Sequence, residues 1–183
     1  MALRSLLTAC FIAWTAYGLH AQEGYLRLGS FQRIAYRNKA SFAWSGAAVS
    51  GGYTYRVSRK DRLDFGAEAG FLEWGAQTLT EVGYYRRFSV AQKLYLTAGG
   101  HIYNGMVLFR PKPLYAFAAQ ARGGIMGRVH RRLDLGFVAG VRYSLTPQYR
   151  HYSDVYSYWH FTGELVFVFR KPVRHVHHIN PSF

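Results

Sequence analysis

Arg132-Leu133-Asp134-Leu135-Gly136-Phe137-Val138-Ala139-Gly140-Val141-Arg142-Tyr143 alternates two kinds of residue. Leu133, Leu135, Phe137, Ala139, Val141 and Tyr143 share one parity, whereas Asp134, Gly136, Val138, Gly140, Arg142 and Ser144 share the other. Successive side chains of a strand point to opposite faces, so the stretch predicts a β-strand with one apolar face and one face of small and charged residues. Both Arg62-Leu63-Asp64-Phe65-Gly66 and Lys93-Leu94-Tyr95-Leu96-Thr97 open in the same way. Each of the three follows a short polar turn, at 58–61, 89–92 and 130–131, and each turn follows another strand-like run. Such self-similarity marks a repeated structural unit, here a hairpin.

Working outward, the pattern predicts strands at 25–36, 41–57, 63–74, 80–88, 94–106, 114–129, 133–145 and 158–170. Longer connections fall at 37–40, 75–80, 106–113 and 145–157, on the side opposite the tight turns. Short turns at one end, long loops at the other and an even strand number are the signature of outer-membrane barrels. The third strand sends Leu63, Phe65, Ala67, Ala69 and Phe71 outward, and Asp64, Glu68 and two glycines inward. The last sends Trp159, Phe161, Leu165, Phe167 and Phe169 outward, and His160, Thr162, Glu164 and Arg170 inward. Tyr25, Tyr36, Tyr53, Tyr55, Tyr115, Tyr143, Tyr158 and Trp159 lie near strand ends and read as an aromatic girdle.

The expected fold class is therefore all-β: an eight-stranded antiparallel up-and-down transmembrane β-barrel, preceded by a signal peptide. Strand alternation also occurs in soluble antiparallel sheets, so a soluble periplasmic lipocalin-like barrel is the alternative architecture.

The start of the chain supplies the compartment. Arg4 precedes an apolar run at 6–17, and Ala21 stands where signal peptidase would cut. The run is shorter than the roughly 18 residues a spanning helix needs. Residues 1–21 are read as a cleaved signal peptide, 22–170 as the barrel and 171–183 as a basic, His-containing tail. Cys10 is the lone cysteine and lies in the leader, which leaves no disulfide or cysteine metal site in the mature chain. Tyr and Phe number 15 and 13 and Gly 19, a composition that favours strands and tight bends. The net charge of +14 would point to nucleic acid in a cytosolic protein, but behind an export signal it points to anionic headgroups and lipopolysaccharide phosphates. Outer-membrane lipid and lipopolysaccharide are the expected partners, and no nucleic acid is expected.

Eight strands enclose an interior just wide enough to be filled by side chains, so the lumen is read as a core. Glu68, Glu81 and Glu164 are expected to face Arg27, Arg56, Arg87, Arg122 and Arg142 across it, with His101, Gln120 and Thr162 between them. Pairing relieves the cost of burying those carboxylates. Basic loop residues Arg37, Lys39, Arg110, Lys112 and Arg150 are expected at the outer rim, within reach of lipopolysaccharide phosphates. His175, His177 and His178 have metal-ligand chemistry but read as a solvated tail, and no metal or cofactor is expected.

His151 and Ser153 share a face within Arg150-His151-Tyr152-Ser153-Asp154, and Glu164 follows on the last strand. This set resembles the His/Ser/Glu triad of lipid A 3-O-deacylases of the PagL family. That resemblance implies Ser153 as nucleophile, His151 as proton relay and Glu164 as the acid that orients it.

Ala21-Gln22 after the leader and the closing Gly163-Glu164-Leu165-Val166-Phe167-Val168-Phe169 are similar to small outer-membrane barrels of Bacteroidota. A narrower likeness rests on Phe65-Gly66-Ala67-Glu68, on Glu81-Val82-Gly83-Tyr84-Tyr85-Arg86-Arg87-Phe88, and on the strand from Tyr115 to Arg128 followed by Arg132-Leu133-Asp134. These resemble the TraO family of conjugative-transposon transfer proteins. The resemblance implies a non-enzymatic outer-membrane component of a conjugation or secretion assembly, with other envelope or conjugation proteins as partners. The three functional readings are thus an envelope scaffold of TraO type, a lipid A deacylase using Ser153, and a soluble ligand-binding barrel.

Overall fold

The computed structural model describes residues 23–34, 43–72, 75–108, 113–145 and 158–171. Eight strands follow one another: β1 (Glu23–Arg33), β2 (Ala43–Arg56), β3 (Asp61–Leu72), β4 (Gly75–Ala91), β5 (Leu94–Leu108), β6 (Pro113–His130), β7 (Leu133–Leu145) and β8 (Tyr158–Arg170). Each pairs antiparallel with its sequence neighbours, and β1 also pairs with β8, from Glu23↔Arg170 to Arg33↔His160. The ribbon is therefore closed, and among the described residues every strand has a hydrogen-bonded neighbour on both sides.

Alternation sets the two surfaces. On β4 the burial pattern switches residue by residue from Gln77 to Arg87, with Leu79, Glu81, Gly83 and Tyr85 inside. The residues between them, including Val82 at 50% exposure and Tyr84, face out. Across the barrel the exterior carries Phe65, Phe71, Ile102, Ile125, Phe137, Val141, Phe161, Leu165 and Phe169, all exposed, while arginines and carboxylates are buried. This arrangement is the inverse of a soluble barrel, because apolar side chains face outward and ionic ones are enclosed. Only an apolar solvent makes such an exterior favourable.

Several details differ from the sequence expectation. Residues 75–80, expected as a loop, form the start of β4, and their ladder to β5 begins at Ala76↔Leu108. Gly75-Ala76-Gln77-Thr78 looks like turn composition, yet Gln77 is an inward residue held by Glu68, and that bond carries the strand onward. At the other end β4 runs on to Ala91, whereas β1 stops at Arg33, short of residue 36. Tyr25 is not a girdle residue: it shares parity with Arg27, lies in the lumen, and donates its hydroxyl proton to Glu81. Arg56 has the inward parity but stands at the open end of β2, exposed, so it takes no part in the enclosed network.

The tight turns close with local hydrogen bonds. In the β2–β3 turn Ser58 Oγ accepts from the Lys60 and Asp61 amides at 3.1 and 3.0 Å and donates to Asp61 Oδ2 at 2.5 Å, a serine turn. Near the opposite end of β2 the register against β1 shifts between Phe31 and Gln32, with Ser45 as the extra residue and Gly46, at φ +153°, beside it. A Cβ there would run into the backbone of Phe71, so only glycine admits the close approach of β3.

Candidate functional site

The inward residues sort into layers along the barrel axis. At the centre, the Arg27 guanidinium from β1 lies against Glu81 of β4 at 2.5 Å, and it is 3.8 Å from Asp64 on β3 and 3.9 Å from Glu164 on β8. It also lies over the Tyr25 ring, 4.3 Å from its centroid. Arg122 from β6 donates to Glu164 Oε2 at 3.0 Å and to Asp64 Oδ2 at 3.3 Å. His101 Nε2 sits beside both, 3.2 Å from Asp64 and 2.9 Å from Arg122. Gln120 then donates to Thr162 at 2.9 Å and to Glu164 Oε1 at 2.6 Å, and accepts from the Tyr103 hydroxyl at 2.7 Å.

One step toward the long-loop end, Arg142 from β7 donates to both oxygens of Glu68, each at 2.9 Å, and Gln77 donates to Oε1 at 2.7 Å. The Arg142 guanidinium covers the Tyr103 ring at 4.0 Å and the Phe31 ring at 5.1 Å. Its partners are thus a carboxylate on one side and aromatic faces on the other, an environment that suits a planar, weakly hydrated cation. In this central block three arginines, Arg27, Arg122 and Arg142, meet four carboxylates, Asp64, Glu68, Glu81 and Glu164. Near-neutrality of the block is what makes so many charges bearable away from water.

Apolar layers close both sides of the block. Toward the short-turn end lie Tyr25, Met126, Val138, Val166 and Val168, with Tyr95 packed against them. Toward the long-loop end lie Leu79, Tyr103, Val107, Ala116 and Ala118. The space left between the first collar and the ionic block is about 30 Å³, room for a water molecule and little else. Inward glycines are part of the fit. A Cβ at Gly66 would overlap the Tyr25 hydroxyl, and one at Gly83 would overlap the His101 ring.

Below the collar the lumen opens into a mouth. Arg87 donates two bonds to Glu23, at 2.7 and 3.3 Å, and one to Tyr85 at 3.0 Å. Asp134 accepts from Tyr95 at 2.7 Å and from Arg170. Of the residues singled out from sequence, Glu81, Glu164 and Arg122 are thus joined through Arg27 and Asp64. Glu68 and Arg142 form their own pair, while Arg87 belongs to the mouth. Asp64, Tyr103, Gln77, Glu23 and Asp134 complete the network without having been singled out for it. Their parity was the available signal, since Tyr103 alternates in phase with His101 and each of the others with an inward arginine or glutamate.

Glu164 bears on the hydrolase constellation. The residue is 7% exposed, and its carboxylate is directed into the lumen and held at both oxygens by Gln120 and Arg122. His151 and Ser153 lie outside the described residues, as do Arg37, Lys39, Arg110, Lys112 and Arg150 and the histidines of the tail.

No family model matches the chain, and no curated protein matches it in sequence. Among solved structures, the chain is similar to Neisserial surface protein A, with a TM-score of 0.53 at 12% identity over 81% of this chain and 96% of that one. It is also similar to Ail, the attachment invasion locus protein of Yersinia pestis, with a TM-score of 0.47 at 13% identity over 82% of this chain and 99% of that one. A third similar structure is the N-terminal β-barrel domain of Pseudomonas aeruginosa OprF, with a TM-score of 0.45 at 12% identity over 81% and 98%. The likeness to the Neisserial protein is one of fold: this chain forms a closed, eight-stranded antiparallel β-barrel.

Proposed function

We propose that the chain, after removal of residues 1–21, is a non-enzymatic barrel of a Gram-negative outer membrane that serves as an envelope scaffold. In the finer form of this reading it is the TraO-like outer-membrane piece of a conjugation or secretion assembly. The observation that carries it is the lumen. A buried ionic block flanked by two apolar clusters fills the barrel interior, and the cavity beside the block measures about 30 Å³. A barrel filled in this way offers its rims and loops for contact, and its wall as an anchor.

The apolar exterior supports membrane residence over the soluble periplasmic barrel, because large aliphatic and aromatic side chains cover it on every strand. The lipid A deacylase reading draws no support from Glu164, whose two oxygens are engaged inside. Loop cations Arg37, Lys39, Arg110, Lys112 and Arg150 remain proposed contacts for lipopolysaccharide phosphates.

Fractionation of cells expressing the full chain tests the residence: the protein is expected in the outer-membrane fraction and to migrate faster on a gel before boiling than after. Recovery in the soluble periplasmic fraction refutes it. Crosslinking followed by identification of co-purified envelope proteins tests the assembly role, and unchanged lipid A acylation in the Ser153→Ala variant is expected.

A further inference from the structure

The short-turn mouth is an electrostatic anomaly in a barrel whose centre is close to neutral. It forms an open basin of about 630 Å³ lined by six arginines and two lysines, with Glu23 as the carboxylate of the lining and Asp134 beside it pairing with Arg128 and Arg170. Glu23 is already engaged by Arg87 and lies 3.8 Å from Arg62. Arg62 is itself fixed, donating to the Ser58 and Asp61 carbonyls at 2.9 and 3.0 Å. Arg56, Arg59 and Lys60, together on the β2–β3 hairpin, are exposed, and no carboxylate among the described residues pairs with them. Like charges gathered in one concavity repel, so this basin lowers its energy by taking an anion from outside.

The layout selects the kind of anion. The cations are spread around the mouth, from the β2–β3 hairpin through Arg87 on β4 and Arg128 on β6 to Arg170 on β8, instead of converging on one point. Several negative groups spaced along a chain fit this better than one compact ion. Most of the cations are arginine, whose fork pairs with carboxylates through two parallel bonds. Between them stand Ser89 and Gln92, able to bond a peptide backbone, and Leu94 and Tyr95, which offer apolar contact. The basin opens along the barrel axis, where headgroups lying beside the wall do not reach.

We infer that the short-turn mouth is a docking site for an acidic peptide segment of a partner protein, entering along the barrel axis. The inference names partner chemistry for the scaffold reading and rests on it, since the short-turn end of such a barrel faces the periplasm.

The test uses the purified full chain in zwitterionic nanodiscs and a fluorescein-labelled octapeptide alternating glutamate and serine. Anisotropy is expected to saturate with the glutamate peptide and not with its lysine counterpart, and to weaken as salt rises and screens the basin. The R56Q/R59Q/K60Q variant is expected to lose about tenfold or more in affinity, whereas R131Q/R132Q, on the β6–β7 turn outside the basin, stays within about twofold. A heat-modifiable band verifies that each variant is folded.

Absence of saturable binding overturns the inference. So does binding indifferent to the R56Q/R59Q/K60Q change, and so does complete displacement by tripolyphosphate at or below the peptide's own dissociation constant, which would make the basin a phosphate site. Failure of the scaffold reading shows separately, as a chain that fractionates with soluble periplasmic proteins whatever it binds.

Discussion

Replacing Arg142 by methionine keeps much of the side-chain volume and removes the charge that neutralises Glu68. Both partners are buried, with side chains 2% and 5% exposed, and the two bonds between them are each 2.9 Å. Stranding one member of a buried ion pair costs about 3–5 kcal/mol. Gln77 continues to donate to Glu68 at 2.7 Å and moderates that figure, whereas the guanidinium lost from the Tyr103 face at 4.0 Å adds to it. A loss near 4 kcal/mol corresponds to roughly three orders of magnitude in the folding equilibrium.

The companion change distinguishes charge from packing. With Glu68→Gln added, the stranded charge disappears, and the double variant is expected to recover about 2 kcal/mol or more relative to R142M, since an ion pair replaced by neutral groups is often close to harmless. Urea unfolding in lipid vesicles reads both. Trp44 and Trp159 stand on the exterior at 68% and 49% exposure, so their emission reports departure from the acyl phase. An R142M variant that unfolds at the parental midpoint would refute the reasoning. So would an E68Q/R142M protein less stable than R142M alone, because only uncompensated charge predicts rescue.

Three further outcomes follow from the same geometry. Val82→Arg, on the outward face of β4, is expected to cost about 2–4 kcal/mol in the same unfolding assay, the penalty of a cation facing hydrocarbon; a neutral effect would place that face in water. Gly83→Val would drive its side chain into the His101 ring, whereas a Cβ at Gly24 meets nothing nearer than 3.8 Å. Folding yield, read from the heat-modifiable band, is therefore expected to collapse for Gly83→Val and to persist for Gly24→Ala. Finally, the parental protein in planar bilayers is expected to show no steady single-channel steps, and a reproducible conductance would mean that the ionic block opens.

Much of the fold is legible because strand periodicity is local. Leu133 to Ser144 announces its two faces, and β7 and β8 occupy the bounds read from sequence, because alternation there is uninterrupted. Reading failed where composition outweighed parity. Gly75 to Thr78 looked like a loop because its residues are small and polar, and Tyr25 looked like a girdle residue because tyrosines gather at interfaces. Its phase with Arg27 already assigned it to the inside.

By itself, the order of residues determined which side chains enter the lumen, since a backbone with period two offers each of them one face or the other. It did not determine who meets whom there. Glu68 and Arg142 are 74 positions apart and Tyr25 and Glu81 are 56 apart, and none of these residues sits on a neighbouring strand of its partner. Their encounters depend on the tilt and stagger with which β8 closes onto β1, a property of the whole ring that no local stretch encodes. The same closure gathered cations of five strands and the β2–β3 turn around one mouth, where the linear sequence shows only scattered arginines and lysines.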